Sequence, residues 1–189
     1  MNIFYTDSDP VKAAQSLVDR HVIKMILETC QLLCTAHRVL DGTEITQKVY
    51  VNGSFPARYR KKKVWMLNDH RESQLYSATH VNHPSAVWVR KSNNNYNWLY
   101  AHLLALLEEY THRYGKRHKC ADLVGVLMSP PQNIQVTHFT QPTPAMDVKY
   151  IISESSVINY RNYYKLGKQH LHRWTRRNPP EWIDTVKVA

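Results

Sequence analysis

Acidic residues are scarce in this chain of 189 residues. Fifteen Asp and Glu stand against 25 Lys and Arg, which gives a formal net charge of +10 at pH 7. Such an excess favours an anionic partner, which could be nucleic acid, a membrane surface or an acidic protein. Twelve Tyr and five Trp accompany the cations, and rings interleaved with cations are typical of nucleic-acid surfaces. Nucleic acid is therefore the partner that best explains the composition.

Long apolar runs are also missing. No stretch approaches the roughly 20 apolar residues of a transmembrane helix, and residues 1–7 lack the basic start and apolar core of a signal peptide. We therefore expect no membrane partner and a cytoplasmic protein. The length fits one domain with its own core, and a monomer is favoured.

The chain has only three cysteines, which is an odd number. An odd count without a secretion signal favours free thiols in a reducing compartment. Cys30 and Cys34, with His37 one turn later, could begin a metal site, as could His80 with His83. Neither group has a complete ligand set. We therefore predict no metal and no cofactor.

One long periodic pattern covers residues 9–40. Asp9 is a suitable N-cap and Pro10 suits the first helical position, and apolar residues then recur at helical spacing until Asp41 and Gly42. The pattern predicts one long amphipathic helix. The extended arm before it, residues 1–8, is short enough to hold the amino terminus near that helix.

Three polar residues of this helix are candidates for chemistry. His21, Lys24 and Glu28 are spaced by three and four, so they share one stripe at the border of the apolar face. A carboxylate at the edge of a core can serve as an acid or base. A Lys–Glu pair four residues apart is also an ordinary feature of a solvated helix, so both interpretations stay open.

The rest of the chain predicts a mainly α, single compact helical domain spanning residues 1–189. The helix over residues 95–114, closed by Gly115 as a C-cap, is expected to pack on the first helix. A long loop is expected over residues 130–146. Further helical segments are predicted at residues 72–77, 84–91, 120–128 and 153–174.

Residues 41–64 look like a basic insert. Helix breakers punctuate it at Gly42, at Asn52-Gly53 and at Pro56, and residues 48–51 could form one strand of a small hairpin. Five cations then fall between residues 58 and 63. They predict either a solubilising loop or a loop that grips phosphates.

Tyrosines and cations interleave near the C-terminus. Tyr160, Tyr163 and Tyr164 are three and four residues apart, so they share a helical face, with Arg161 and Lys168 beside them. A tyrosine stripe can line the edge of a core or stack on bases. The sequence leaves these two interpretations open.

Three stretches, in this order, resemble a known family. Asp19-Arg20-His21, followed by Glu28 seven residues after the histidine, resembles the first helix of the phage pyrimidine-dimer DNA glycosylases of the endonuclease V type. The segment from His83 to Gly115 and the aromatic segment from Tyr160 to Lys168 resemble the same family. The chain is also similar to uncharacterised phage proteins that begin Met-Asn-Ile-Phe and share a Lys-Met-Ile-Leu-Glu helix.

The resemblance implies a DNA glycosylase with an associated abasic-site lyase activity. The nucleophile in that family is the α-amine of a threonine exposed when the first methionine is removed. Here Asn2 is bulky and disfavours that removal, so the amine would belong to Met1. The family's glutamate is flanked by arginines, whereas this chain has Leu27 and Gln31, which puts the phosphate contacts of the family in question.

The resemblance also implies the roles of the site residues. Glu28 would act as general acid or base, His21 would orient Glu28 or contact a phosphate, and Lys24 would supply a neighbouring positive charge. The predicted catalytic residues are Glu28, Met1, Asn2, His21 and Lys24. The predicted DNA-binding residues, which would hold a bent or damaged duplex with a flipped nucleotide, are Arg20, Arg58, Arg60, Lys61, Lys62, Lys63, Arg90, Lys91, Tyr160, Arg161, Tyr163, Tyr164 and Lys168.

Two other classes of function remain open at this point. A DNA-base-modifying transferase of a phage could use a related scaffold, and the changed N-terminus fits the loss of an amine nucleophile. A non-catalytic nucleic-acid-binding protein would use Glu28 and His21 only as structural residues. Trapping of an imine would separate the glycosylase from both.

Overall fold

The protein is a mainly α structure with one small hairpin, as predicted. The structure, a computed structural model, describes residues 1–51, 56 and 58–183. Within these residues none of the helices has both the length and the apolarity to cross a bilayer. The elements are α1 (Pro10–Ser16), α2 (Asp19–Asp41), β1 (Thr43–Tyr50), β2 (Tyr59–Met66), α3 (Arg71–Gln74), α4 (Pro84–Val89), α5 (Asn93–Tyr114), α6 (Val124–Leu127) and α7 (Ser156–Gly167).

The prediction of a single helix over residues 9–40 is wrong, because the helical backbone is interrupted between α1 and α2. Asp9 caps α1 as expected, but Leu17 and Val18 have extended backbone, with ψ of 142° and 155°. Arg113 and Trp174 donate hydrogen bonds of 3.0 and 2.9 Å to the carbonyl oxygens that end α1. These donors come from distant parts of the chain, so local periodicity could not reveal the break.

Helix α5 packs against both α1 and α2, which confirms the predicted pairing. It ends at Gly115, whose φ of 63° is the left-handed conformation that glycine adopts without strain. The core lies between these helices. Its fully buried side chains include Val22, Met25, Ile26, Leu33, Leu99, Leu103 and Leu106.

A buried ionic network joins α2 and α5 to the C-terminal segment. Arg113, fully buried, donates to Asp19 at 3.0 Å and to Glu109 at 2.7 Å, and Arg177 donates to Glu109 at 2.8 Å. Burial opposes ionisation of Asp19, but hydrogen bonds from Thr175 and Arg113 hold the pKa of its carboxyl below the usual value. The aspartate of the Asp-x-His pattern thus has a structural role.

The helix predicted over residues 153–174 is shorter than expected. Helix α7 ends at Gly167, where a Cβ atom would come within 2.8 Å of the Tyr150 ring. The chain then folds back, and His172 donates a hydrogen bond of 3.0 Å to the carbonyl oxygen of Tyr164. Close packing at the glycine and this tertiary bond replace the continued helix.

The basic run is not a loop, which corrects that prediction. Arg60, Lys61, Lys62 and Lys63 lie in β2, which pairs antiparallel with β1 from Thr43 opposite Met66 to Tyr50 opposite Tyr59. Both strands are longer than the predicted residues 48–51. The expected turn at Asn52-Gly53 lies outside the described residues.

Candidate active site

Glu28 receives the amino terminus of the chain. The backbone N–H of Asn2 donates a hydrogen bond of 2.9 Å to Oε2 of Glu28, and the α-amine of Met1 lies 3.9 Å from the same oxygen. The Glu28 side chain, on α2, is only 12% exposed. The residues that the sequence separates by 26 positions are therefore in contact in the fold.

Lys24 approaches the other oxygen of the carboxylate. Its Nζ atom lies 3.3 Å from Oε1 of Glu28, one turn along α2. Because the Lys24 side chain is 67% exposed, this ion pair contributes little to stability. The carboxylate thus faces a cation on one oxygen and the amino terminus on the other.

The N-terminal arm is held in a tight turn. The Oδ1 atom of Asn2 accepts hydrogen bonds from the N–H groups of Ile3 and Phe4, and its Nδ2 donates to the carbonyl oxygen of Ala145 at 2.8 Å. Phe4 has a φ of 53°, which is rare for a bulky residue and persists only when packing enforces it. The turn carries the amine back to Glu28.

His21 supports this turn and makes no described hydrogen bond to Glu28. Its ring stacks on Phe4 with centroids 4.2 Å apart, and its Nδ1 lies 2.5 Å from the hydroxyl of Tyr164. Burial, with Lys168 and Lys24 nearby, lowers the pKa of His21 to about 3. The histidine is therefore neutral near pH 7 and buried, so it presents no positive charge to a phosphate, which argues against the predicted phosphate contact.

Two of the three tyrosines are core residues. Tyr160 and Tyr164 are fully buried, and the Tyr160 hydroxyl accepts a hydrogen bond of 3.1 Å from the Ala145 N–H. Neither ring can stack on a base, so the core interpretation holds for both and the predicted DNA contact does not. Tyr163 is half-buried, with Lys168 Nζ 4.8 Å from its ring centroid, and remains a candidate for DNA contact.

Several predicted DNA-binding cations already have structural partners. Arg161 donates to the Thr6 carbonyl at 2.8 Å and to Asp7 at 3.0 Å, so it clamps the N-terminal arm. Arg90 donates to two backbone carbonyls near α4. Arg20 and Lys91 are on the surface, and Arg20 lines an open cleft of about 570 Å³ beside Tyr114.

Sequence reasoning left His83 out of the predicted site. Its Nδ1 accepts a hydrogen bond of 3.2 Å from Ser85 N–H and so caps α4. Burial lowers the pKa of this imidazole, as does the positive charge of the N-terminal amine, so the ring lies in the field of the amine and Glu28. The sequence pointed to His83 only as a possible metal ligand and the start of a resembling segment.

The three cysteines are buried free thiols. Cys30, Cys34 and Cys120 are all buried and unbridged, and burial raises the pKa of the Cys34 thiol to about 12. Among the described residues no group of three His, Cys, Asp or Glu side chains is placed to hold a metal ion.

Comparison with known proteins relates the N-terminal part of the chain to one family. The family model of pyrimidine dimer DNA glycosylase matches residues 1–122, which include the amino terminus, Glu28, His83 and all of α5. No curated protein and no solved structure matches the chain significantly. Because the matched region exceeds half of the 189 residues, the chain belongs to the pyrimidine dimer DNA glycosylase family.

Proposed function

We propose that this DNA glycosylase excises its base through an imine formed by the N-terminal amine, with Glu28 handling the protons. Membership of the family makes the protein a DNA glycosylase whose partner is DNA. The placement of the amino terminus against Glu28, with Asn2 N at 2.9 Å and Met1 N at 3.9 Å, carries the proposal.

The first step forms a bond from the amine to C1′ of the target nucleotide and breaks the bond from C1′ to the base. The base leaves with the electron pair of that bond and takes up a proton. The sugar ring then opens as C1′ becomes the imine carbon, and O4′ takes up a proton. Glu28 is the group beside the amine that can accept and return these protons.

An α-amine suits this reaction near neutral pH. The pKa of an α-amine is ordinarily about 7.7–8.0, against about 10.4 for a lysine side chain, so a larger fraction is neutral and nucleophilic. Asn2 and Phe4 hold the terminus in one orientation, and a fixed orientation lowers the entropic part of the barrier.

A second step would give strand cleavage. Loss of a proton from C2′ of the imine and departure of the 3′ phosphate oxygen, with the C3′–O bond electrons, breaks the strand by β-elimination. Water then hydrolyses the imine and restores the amine. Oε2 of Glu28 lies 3.9 Å from the Met1 amine, so the same carboxylate is placed to serve both steps.

The substrate nucleotide must leave the base stack to reach this site. Glu28 is 12% exposed and the Met1 side chain only 3%, so a stacked nucleotide in a duplex cannot bring C1′ to the amine. Enzymes that act on a base in duplex DNA rotate the nucleotide out and accept the cost of unstacking. We therefore propose duplex DNA with a flipped, damaged or modified nucleotide as the substrate.

Borohydride trapping tests the mechanism. The protein is incubated with duplex DNA that contains an abasic site, in parallel with ultraviolet-irradiated DNA, and reduced with borohydride. We expect a covalent adduct at the N-terminal residue, mapped by peptide mass, with Met1 retained because Asn2 is bulky. Glu28→Gln should abolish cleavage, whereas Glu108→Gln, an exposed glutamate on α5, should behave as wild type.

The outcomes separate the three classes of function. An adduct at an internal lysine would remove the N-terminal amine from the mechanism. No adduct and no cleavage on either DNA would overturn the imine chemistry, and a mass change on phage DNA would then favour a transferase. Binding that is unaffected by Glu28→Gln, with no reaction at all, would favour a purely binding protein.

A further inference from the structure

Half of the net charge of the chain lies in the hairpin region. Residues 43–66 carry six Lys and Arg and one Glu, a net +5 out of the total of +10. These 24 residues thus hold about four times their share of the excess charge. This concentration sets the hairpin apart from an evenly charged, solubilising surface.

The cations of the hairpin face one another across the strands. Lys48 lies directly opposite Lys61 in the register, and Lys62 lies opposite Gln47. Like charges directly opposite each other destabilise a sheet. Glu44, the single acid of the two strands, is already paired with Lys63 at 2.7 Å. The repulsion between Lys48 and Lys61 therefore lowers the stability of the ribbon when nothing is bound to it. An anion bound at the surface of the ribbon would relieve this repulsion.

Both faces of the ribbon carry positive charge. Opposite residues share a face and neighbours alternate, so Lys48, Lys61 and Lys63 lie on one face and Arg60 and Lys62 on the other. All five residues are exposed. The ribbon is therefore cationic on two opposite sides. This distribution suits an element that lies between two rows of phosphates.

Tyrosines stand near the far end of the ribbon. Tyr50 and Tyr59 are paired in the register, on the same face as Lys48 and Lys61, with ring centroids 5.8 Å apart. Tyr59 is 66% exposed. Exposed rings beside cations offer flat surfaces to sugars and bases.

The base of the ribbon is fixed to the helical core. Arg38 of α2 is buried and donates to the Trp65 carbonyl of β2 at 3.0 Å and to Glu72 at 2.8 Å. At Gly42, which leads from α2 into β1, a Cβ atom would come within 3.1 Å of the Met66 carbonyl oxygen of β2. The close approach of backbone at this glycine and the arginine hydrogen bonds anchor the ribbon to α2.

The reach of the ribbon follows from helix geometry. Asp41 lies thirteen positions after Glu28 on α2, which is about 20 Å at 1.5 Å per residue. Each strand of eight residues is about 26 Å long. A turn of B-DNA is about 34 Å long, so the ribbon can contact a duplex well beyond the nucleotide bound at Glu28.

We propose that the β1–β2 ribbon is a DNA-binding arm that enters a groove of the duplex flanking the reaction site. The major groove admits a two-stranded ribbon, and the two cationic faces would contact the phosphates on its two walls. The proposal rests on DNA as the partner of the family, and does not depend on the imine.

Salt dependence of binding tests the arm without any chemistry. Affinity of undamaged duplex is measured against salt for Lys48→Gln/Lys61→Gln/Lys62→Gln and for a matched variant of three exposed lysines elsewhere, Lys12→Gln/Lys116→Gln/Lys119→Gln. Each phosphate contact contributes about 0.9 to the slope of log K against log salt. We expect the ribbon variant to lose about 2–3 units of slope and at least tenfold in affinity, and the matched variant much less.

A tethered cleavage reagent locates the arm on the DNA. Tyr59→Cys is labelled with an iron chelate, since the three native cysteines are buried, and bound to a duplex with a stable abasic analogue that forms no imine. We expect cuts displaced from the analogue by on the order of 5–10 base pairs. Equal loss of slope in both lysine variants, an unchanged ribbon variant, or no displaced cuts would overturn the proposal.

Discussion

The N–H of Asn2 and the carboxylate of Glu28 form a hydrogen bond of 2.9 Å, which holds the N-terminal arm against α2. The Met1 amine lies 3.9 Å from the same oxygen. The first two residues and Glu28 thereby form one contact cluster, on which the proposed mechanism depends.

An added residue at the amino terminus should abolish imine formation. One extra residue before Met1 moves the amine by up to about 3.8 Å, away from the 3.9 Å position beside Glu28. We expect at least 100-fold less borohydride-trapped adduct with unchanged affinity for undamaged DNA. The same residue added at the C-terminus is the control. Full trapping by the extended protein would show that another amine reacts.

Replacement of Glu28 by Gln should stop base excision without unfolding the protein. The amide oxygen of Gln can still accept the Asn2 N–H bond, but it cannot take or return a proton. Loss of a general acid or base typically costs 10²–10⁴-fold in rate, and we expect a reduction of about that size in single-turnover excision. A variant with excision within a factor of three of wild type would contradict the assignment.

Replacement of Tyr164 by Phe should lower stability and leave DNA affinity intact. The variant removes the hydroxyl partner of His21 Nδ1 in a buried site, and an unsatisfied buried polar group costs about 1–3 kcal/mol. Urea unfolding measures the loss. Tyr163→Phe, which keeps the ring that packs near Lys168, is the control. A large loss of DNA affinity in Tyr164→Phe alone would mean that this tyrosine contacts DNA.

Acid should destabilise the fold through buried histidines. Burial lowers the pKa of His102 from the usual 6.5 to about 4, while its Nδ1–H donates to the Pro10 carbonyl at 2.9 Å. Between those two values the unfolded chain binds more protons than the folded one, so stability falls as pH falls from 6.5 towards 4. One such group contributes up to about 1.4 kcal/mol per pH unit.

The variant His102→Asn isolates this contribution. An asparagine amide can replace the donor to Pro10 but does not titrate, so the slope of unfolding free energy against pH should become shallower by up to about 1.4 kcal/mol per unit. His21 and His37 also have lowered pKa values, and they keep part of the slope. A slope identical to wild type would exclude His102 as a source of the acid sensitivity.

Local sequence rules predicted several helix ends correctly. Asp9, Pro84 and Gly115 each mark a boundary that the structure shows, because capping depends on residues within one turn. The break before Asp19 was missed because its backbone groups are satisfied by Arg113 and Trp174, which no local pattern connects to it.

The candidate site was predictable in part, and again the predictable part depends on residues that are close in the sequence. Glu28 stood out by spacing, and the arm was short enough to bring Met1 close. The electrostatic effect of the amine on His83 could not be inferred, since it depends on how α4 packs on α2. The tyrosine stripe was ambiguous because a helical face looks the same in sequence whether it meets the core, as Tyr160 and Tyr164 do, or a ligand.

The tight turn at Phe4 has a consequence for the order of events during synthesis. Its ring lies 6.1 Å from Tyr160 and 5.3 Å from Tyr164 of α7, and Asn2 bonds to Ala145, 143 residues later in the chain. Asn2 is synthesised 143 residues before its partner Ala145, and Phe4 long before the α7 tyrosines that its ring contacts. We therefore expect the N-terminal arm of a growing chain to reach its place beside Glu28 only after α7 has folded.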